Sequence, residues 1–233
     1  MPPDASAHGP ALDRHLLLNL WIFLALFALA HLILLAGLTL SRRNKPRGLL
    51  LEYLPLTALT LLFAFLTLRA ERLWAATRYT GADPAALQVE VTGLQFAWYF
   101  RYPGRDATFG HTNPRLADPA AGNPIGIDPA DPHGADDFIS SELVLPANRE
   151  VDLTLQAQDV IHGFSIPALR IKQNAVPGLH QHLHLTPTLP GTYAILCTQL
   201  CGMGHYRMGA NVRIVPEPEY QAWLAKKEAV LTP

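Results

Sequence analysis

The 233 residues carry 18 Lys plus Arg against 19 Asp plus Glu, a formal net charge of -1, with a hydrophobic share of 49%. The apolar excess is concentrated in the first 75 residues, and from Ala75 onward 11 basic residues face 15 acidic ones. That balance, with no basic patch, excludes nucleic acid as a partner and favours a cationic one.

Residues 1–14 read as an N-terminal tail on the periplasmic side. From His15 to Ser41 there is no charge, and Leu16 to Leu40 is long enough to cross a bilayer core of roughly 30 Å as a helix. Its apolar core is too long for a signal peptide and lacks a small-residue cleavage site. A second apolar run, Gly48 to Leu68, ends at Arg69-Ala-Glu-Arg72, with Trp74 as an interfacial anchor. Residues 15–75 therefore predict a transmembrane hairpin. Between the runs, Ser41-Arg-Arg-Asn-Lys-Pro-Arg47 holds four positive charges and no negative one. The positive-inside rule puts this loop in the cytoplasm, and so puts both termini on the other side of the membrane, which in a bacterium is the periplasm. Asn19 and His31 are polar groups inside the first run, which face a larger membrane partner or bond locally. Glu52, about one turn inside the second, is an intramembrane carboxylate and by default a functional candidate.

After a linker over 76–86, the alternation of Leu87, Val89 and Val91 opens a β domain expected over 87–216. Further strands are predicted at Glu142 to Leu145, Val151 to Leu155 with Asp152 and Thr154 facing away, Gln181 to Leu185, Thr192 to Leu196 and Ala210 to Val215. Short alternating strands with Pro and Gly punctuation imply an antiparallel sandwich or barrel. Residues 103–138 form a long Gly- and Pro-rich segment with six aspartates and two arginines, read as a solvated loop, a docking element or a weak cation site. His180, His182 and His184 share one face of a strand whose opposite face carries Leu183 and Leu185, so they read as an outer row. Residues 217–233 predict a short helix and tail, with Pro218 suited to a first turn.

The stretch Cys197-Thr-Gln-Leu-Cys201-Gly-Met-Gly-His205-Tyr-Arg-Met208 contains both cysteines of the chain. Two thiols, an imidazole and a thioether in so short a loop form a soft donor set that suits copper, with zinc as the main competitor. A local disulfide would leave His205 and Met208 unexplained. A further ligand has to come from elsewhere in the sheet, and His162, in Asp159-Val-Ile-His-Gly-Phe, is the best placed by sequence.

The spacing Cys-x3-Cys-x3-His-x2-Met, with Asp-Val-x-His upstream and Ala175-Val-Pro-Gly178 between them, resembles subunit II of the haem-copper cytochrome c oxidases. The resemblance implies a cupredoxin-like Greek-key domain behind a two-helix hairpin in the bacterial inner membrane. It implies the binuclear copper centre called CuA, with Cys197 and Cys201 bridging, His162 and His205 on one copper each, Met208 as a weak ligand and the Gln199 carbonyl as the sixth contact. It also implies a catalytic oxidase subunit I as partner, and cytochrome c or another small c-type or copper protein as electron donor. No Cys-x-x-Cys-His haem motif occurs, so a separate donor is expected. The chain itself would move electrons only, on the way to oxygen reduction coupled to proton pumping. A CuA subunit of a nitric oxide reductase and a membrane-tethered copper-binding protein are the competing readings.

The family's aromatic run, Gln-Trp-x-Trp, reads Gln95-Phe96-Ala97-Trp98 here. Phe96 takes the electron-entry position, with Trp98 two residues on and expected on the same strand face. Where most family members carry a magnesium-binding Glu, this chain has Gln199, whose neutral amide is a weaker ligand for a hard cation. A Glu at the start of the second helix lies at the mouth of a proton-uptake path in the family, which makes Glu52 a candidate for that role. Phe164, Leu196 and Leu200 are expected to shield the metal from water.

Overall fold

A computed structural model of the chain describes residues 2–39, 48–78 and 81–231. The basic loop Ser41–Arg47, on which the cytoplasmic assignment rests, lies outside them. The chain divides into a helical unit from Pro10 to the end of the second helix and a β unit that takes in the N-terminal residues to Gly9 and everything from Gly81 on.

Helix α1 spans Gly9–Thr39 and α2 spans Leu49–Arg78. Each contains an apolar stretch long enough for a membrane span, and no side chain in that stretch is buried. An exposed apolar stretch of this length has to be covered by lipid or protein. Pro10 suits the first turn of α1, so the expected tail ends at His8. At the other end Ala70, Glu71, Leu73, Ala75 and Ala76 are good helix formers, which carries α2 ten residues past Leu68 and into the expected linker. His31 makes the local bond, one of its two readings, with Nδ1 2.8 Å from the Phe27 carbonyl one turn back.

The β unit contains β1 (Leu87–Leu94), β2 (Ala97–Tyr102), β3 (Phe138–Ser140), β4 (Leu143–Pro146), β5 (Val151–Ala157), β6 (His162–Ile166), β7 (Ile171–Ala175), β8 (Gln181–Leu185), β9 (Gly191–Cys197), β10 (Gly209–Val215) and the closing helix α3 (Glu217–Leu231). One sheet runs β3-β2-β1-β5-β8 and the other β4-β10-β9-β6-β7. Their inner faces supply one core: Val89, Val91, Leu153, Leu155, Leu183 and Leu185 from the first, Phe164, Ile166, Ile195, Val212 and Ile214 from the second. Burying each such side chain contributes roughly 1.5–3 kcal/mol, which is why the period-2 pattern settles which way each strand faces. Strand direction is another matter. The sandwich is mixed rather than antiparallel, because β1 pairs parallel with β5 and β4 parallel with β10. The chain leaves the first sheet after β3, adds β4 to the second and returns, so β5 re-enters alongside β1 in the same direction.

Three details correct the reading of polar segments. Residues 2–8 are docked on the sandwich: Ala5 N–H donates to the Ala168 carbonyl at 2.8 Å, Thr188 N–H to the Ala5 carbonyl at 2.8 Å, and Ala5 is fully buried. The segment 103–137 is ordered by its own aspartates, whose carboxylates accept backbone N–H bonds two residues on at Asp106, Asp118, Asp128 and Asp131. The aspartates act as turn formers. Under this segment Arg101, 1% exposed, donates to Glu90 Oε2 at 2.8 Å and to Asp137 Oδ2, and lies under the Phe109 ring. Asp152 points away from the core as expected, but it is buried and accepts from His182 Nδ1 at 2.9 Å. His180 and His182 are exposed on the outer row. Tyr220 and Trp223 of α3 close the end of the sandwich, with Trp223 edge-on to Tyr102 and Phe138.

Candidate metal centre

The site is built where two strands of one sheet end side by side. β9 stops at Cys197 and β10 starts after Met208, and Cys197 N–H donates to the Met208 carbonyl at 3.1 Å, closing the neck of the ligand loop. β6 pairs with β9, placing Phe164 opposite Cys197 and so His162 just beyond the end of that pairing. The loop folds back onto β6: Thr198 N–H donates to the Gly163 carbonyl at 2.8 Å. A Cβ at Gly163 would sit 2.4 Å from Thr198 Oγ1 and 2.7 Å from Gln199 N. Glycine is required there because two backbones meet.

All six sequence-predicted groups converge. The Sγ atoms of Cys197 and Cys201 are 3.9 Å apart, both as free thiols. Cys201 Sγ lies 3.6 Å from His205 Nδ1 and 3.6 Å from Met208 Sδ. Cys197 Sγ is 3.2 Å from the Gln199 carbonyl oxygen. The ligand atoms of His162, Cys197 and Cys201 all lie within 4.8 Å of one another. With metal–thiolate bonds of about 2.3 Å, sulfurs at this separation can both bind the same ion.

His162 is fully buried, and its Nε2 is 2.7 Å from Asp159 Oδ1. The carboxylate selects the Nε2–H tautomer and leaves the Nδ1 lone pair free. Nδ1 is buried without a hydrogen-bond partner. A buried acceptor with nothing to accept is costly unless a cation fills the position. Burial raises the Asp159 carboxyl, but hydrogen bonds from His162, Gln95 N–H and Val160 N–H outweigh it and hold the group below its ordinary value. Burial, followed by the hydrogen bond to Cys197, pushes the Cys201 thiol up to about 11. A metal ion has to displace that proton for both sulfurs to be thiolates.

Phe96 is not on a strand. It occupies the two-residue turn between Leu94 and Ala97, the last pair of the β1–β2 hairpin, so the alternation that would place it on Trp98's face does not reach it. Its ring packs on Gly202 and Gly204 of the ligand loop, with the Arg207 guanidinium 6.0 Å above it. Trp98, 2% exposed, stands edge-on to Phe164 at 5.1 Å and to the His162 ring at 5.8 Å. Phe164 shields the site as expected, but Leu200 is 77% exposed and Leu196 is also exposed, so the outer side is not sealed by them. Met203 and Tyr206 are exposed beside Leu200. Glu52 lies in the first turn of α2, in the helical unit and outside this site. Asp159 stands in the Asp-Val-x-His motif that carries the resemblance, although its bond to His162 is seen only in the structure, and no spacing rule points to Gly163 or Gln95.

Residues 134–215 match the family model described as cytochrome c oxidase subunit II, periplasmic domain. The chain is 39% identical over 145 residues to the alternative cytochrome c oxidase subunit 2 of Bradyrhizobium diazoefficiens, covering 61% of this chain and 52% of that protein. It is 31% identical over 150 residues to cytochrome c oxidase subunit 2 of Cereibacter sphaeroides, covering 60% of this chain and 49% of that one. It spans about half the length of these relatives or less. Among solved structures, the periplasmic domain of subunit II of cytochrome oxidase of Bradyrhizobium japonicum is similar at 24% identity and a TM-score of 0.47, covering 66% of this chain and 99% of that one. The family match takes in every one of the six converging groups, and residues 134–215 are similar to the periplasmic domain of cytochrome c oxidase subunit II.

Proposed function

We propose that this chain is the electron-receiving subunit of a terminal oxidase and holds a binuclear copper centre of the CuA type. In this reading the two coppers would be held by the thiolates of Cys197 and Cys201, shared between them, by His162 and His205, one for each copper, by Met208 as a weak ligand and by the Gln199 carbonyl. The observation that carries the reading is the convergence of all six groups around the two thiols. Structural zinc takes four ligands from thiolate, imidazole and carboxylate, which would leave the thioether and the carbonyl without a role.

When bound, the copper pair would supply one-electron redox chemistry at this site. The chain's own residues supply the rest. Asp159 orients His162, Phe164 and Trp98 exclude water on the inner side, and Phe96 at the hairpin tip is the entry point for electrons from cytochrome c or another small c-type or copper protein. The acidic balance of the exported part favours a cationic donor. Electrons leave to haem in the catalytic subunit, where oxygen is reduced with proton pumping, and Glu52 is the candidate proton-uptake group. The four basic residues of Ser41–Arg47 support a cytoplasmic loop, and with it an inner-membrane hairpin whose metal centre is on the periplasmic side. Gln199 offers only a neutral amide towards magnesium, so a family-type magnesium site is not part of this reading.

The test is metal analysis and spin resonance on the full chain purified in detergent after expression with copper. Two coppers per chain, purple colour and a mixed-valence signal shared over both metals are expected, lost in Cys197→Ser and Cys201→Ser and altered in Met208→Leu. One zinc per chain and no colour would overturn the proposal.

A further inference from the structure

The tip of the β1–β2 hairpin touches the metal centre from outside the sheet that builds it. Gln95 N–H donates to Asp159 Oδ2 at 2.8 Å, and the other oxygen of that carboxylate holds His162 Nε2 at 2.7 Å. The Gln95 side-chain amide, Nε2, donates to the carbonyl of Cys201 at 2.5 Å. One residue thus contacts both the strand-borne half of the site, through Asp159, and the loop-borne half, through the backbone of a bridging cysteine. The loop is shaped to receive it. A Cβ at Gly202 would lie 2.8 Å from Gln95 Nε2, and one at Gly204 would lie 2.3 Å from the Phe96 ring. On the other flank a Cβ at Gly93 would lie 2.9 Å from the His162 ring.

We infer that Gln95 is a positioning residue of the metal centre, a clamp that sets the separation between His162 and Cys201. The inference rests on the dicopper reading above. Its physical basis is that each half is held by its own local bonds, His162 by β6 and Asp159, and Cys201 by a loop whose described anchors lie at Cys197, Thr198 and Met208. Between those anchors the Cys201 carbonyl is pinned by the Gln95 amide. A hydrogen bond of this kind contributes only about 0.5–1.5 kcal/mol to stability, so its loss should leave the fold standing. The Cys201 backbone would then be free to rotate, and small shifts in ligand position change the electronic character of a bound metal far more than they change global stability.

The experiment compares the full chain with Gln95→Leu, which keeps the side-chain bulk and removes the donor, and with Gln95→Asn, which keeps the amide but falls one methylene short. All three are purified in detergent with copper, and copper content, visible spectrum, thermal midpoint and the oxidised-to-reduced ratio in a fixed redox buffer are measured. Both variants are expected to retain two coppers and a thermal midpoint near the parent's. Their visible bands should shift, and the oxidised-to-reduced ratio should change at least threefold. A parent without a copper pair would overturn the dicopper reading itself. A parent with the pair, and variants whose spectrum and ratio match it, would overturn the clamp. If Gln95→Leu does not fold, Gln95→Asn decides on the same two readouts, and if neither folds, Gln95 is a fold residue and the inference fails.

Discussion

At the scale of single residues, Phe96 and Trp98 allow the proposed electron entry to be told apart from architecture. Phe96 sits at the hairpin tip on the glycines of the ligand loop, while Trp98 is buried behind His162. Phe96→Ala is expected to slow electron uptake from a reduced c-type donor more than tenfold in stopped-flow mixing, with the salt dependence of docking unchanged. If the rate holds and Trp98→Phe slows it, entry runs through the buried ring. Gly163 is architectural. In Gly163→Ala the new methyl would meet Thr198 Oγ1 at 2.4 Å and Gln199 N at 2.7 Å, so the ligand loop has to lift off β6. Overpacking of this kind costs about 1–3 kcal/mol, and denaturant unfolding of the metal-free chain should show it as a lowered midpoint, together with copper content below two per chain.

At the scale of elements, two segments that look dispensable in sequence are part of the β unit. Residues 2–8 bury Ala5 fully and exchange backbone bonds with Ala168, Thr186 and Thr188. The Arg170 guanidinium also donates to the Pro2 carbonyl at 3.0 Å. Deleting residues 2–8 should lower the denaturation midpoint of the β unit and expose Ala168 and Leu169 to solvent, read as faster amide exchange in that turn. An unchanged exchange pattern would show the strap to be ornamental. The segment 103–137 carries its own pH signature. Backbone and side-chain bonds from His111 hold Asp131 down at about 2, against an ordinary 3.8. A lowered folded value means its contribution is complete above about 4 and disappears as pH falls through about 2. The bond to Asp106 raises His133 above its ordinary 6.5, so that contribution is full below about 6.5 and is lost as pH rises past the raised value. Corrected for intrinsic rates, amide protection at Thr108 and His133 should peak between about pH 4 and 6.5 and fall on both sides.

At the scale of the whole molecule, the proposed periplasmic position of the metal centre rests on the two apolar runs and on the four basic residues between them. A reporter fused after Ser41 should be active only in the cytoplasm, and one fused after Pro233 only outside it. The reverse pattern would place the ligand loop away from any periplasmic donor and would remove the electron-entry scheme with it. Lipid or a partner has to cover α1 and α2, since Phe23, Phe27, Leu56 and Phe63 are all exposed in the chain by itself.

What the sequence by itself determined depends on near neighbours along the chain. The membrane helices follow from the length of uninterrupted apolar runs, and the faces of β1, β5 and β8 follow from alternation. The ligand loop follows from four donor side chains in one short stretch, which only a metal explains together. Tertiary structure alone decided the contacts whose partners are remote in sequence: Arg101 on Asp137, 36 residues away, Gln95 on Asp159, 64 away, and Gln95 on Cys201, 106 away. The parallel pairing of β1 with β5 and the docking of residues 2–8 belong with these. The physical reason is the same in each case. Side-chain periodicity encodes which face of an element is buried, because burial is a property of each residue, but it says nothing about which other element arrives there. The hairpin turn that holds Phe96 shows the limit within a single motif, since one step off the end of β2 suspended the two-residue rule that would have placed its ring beside Trp98.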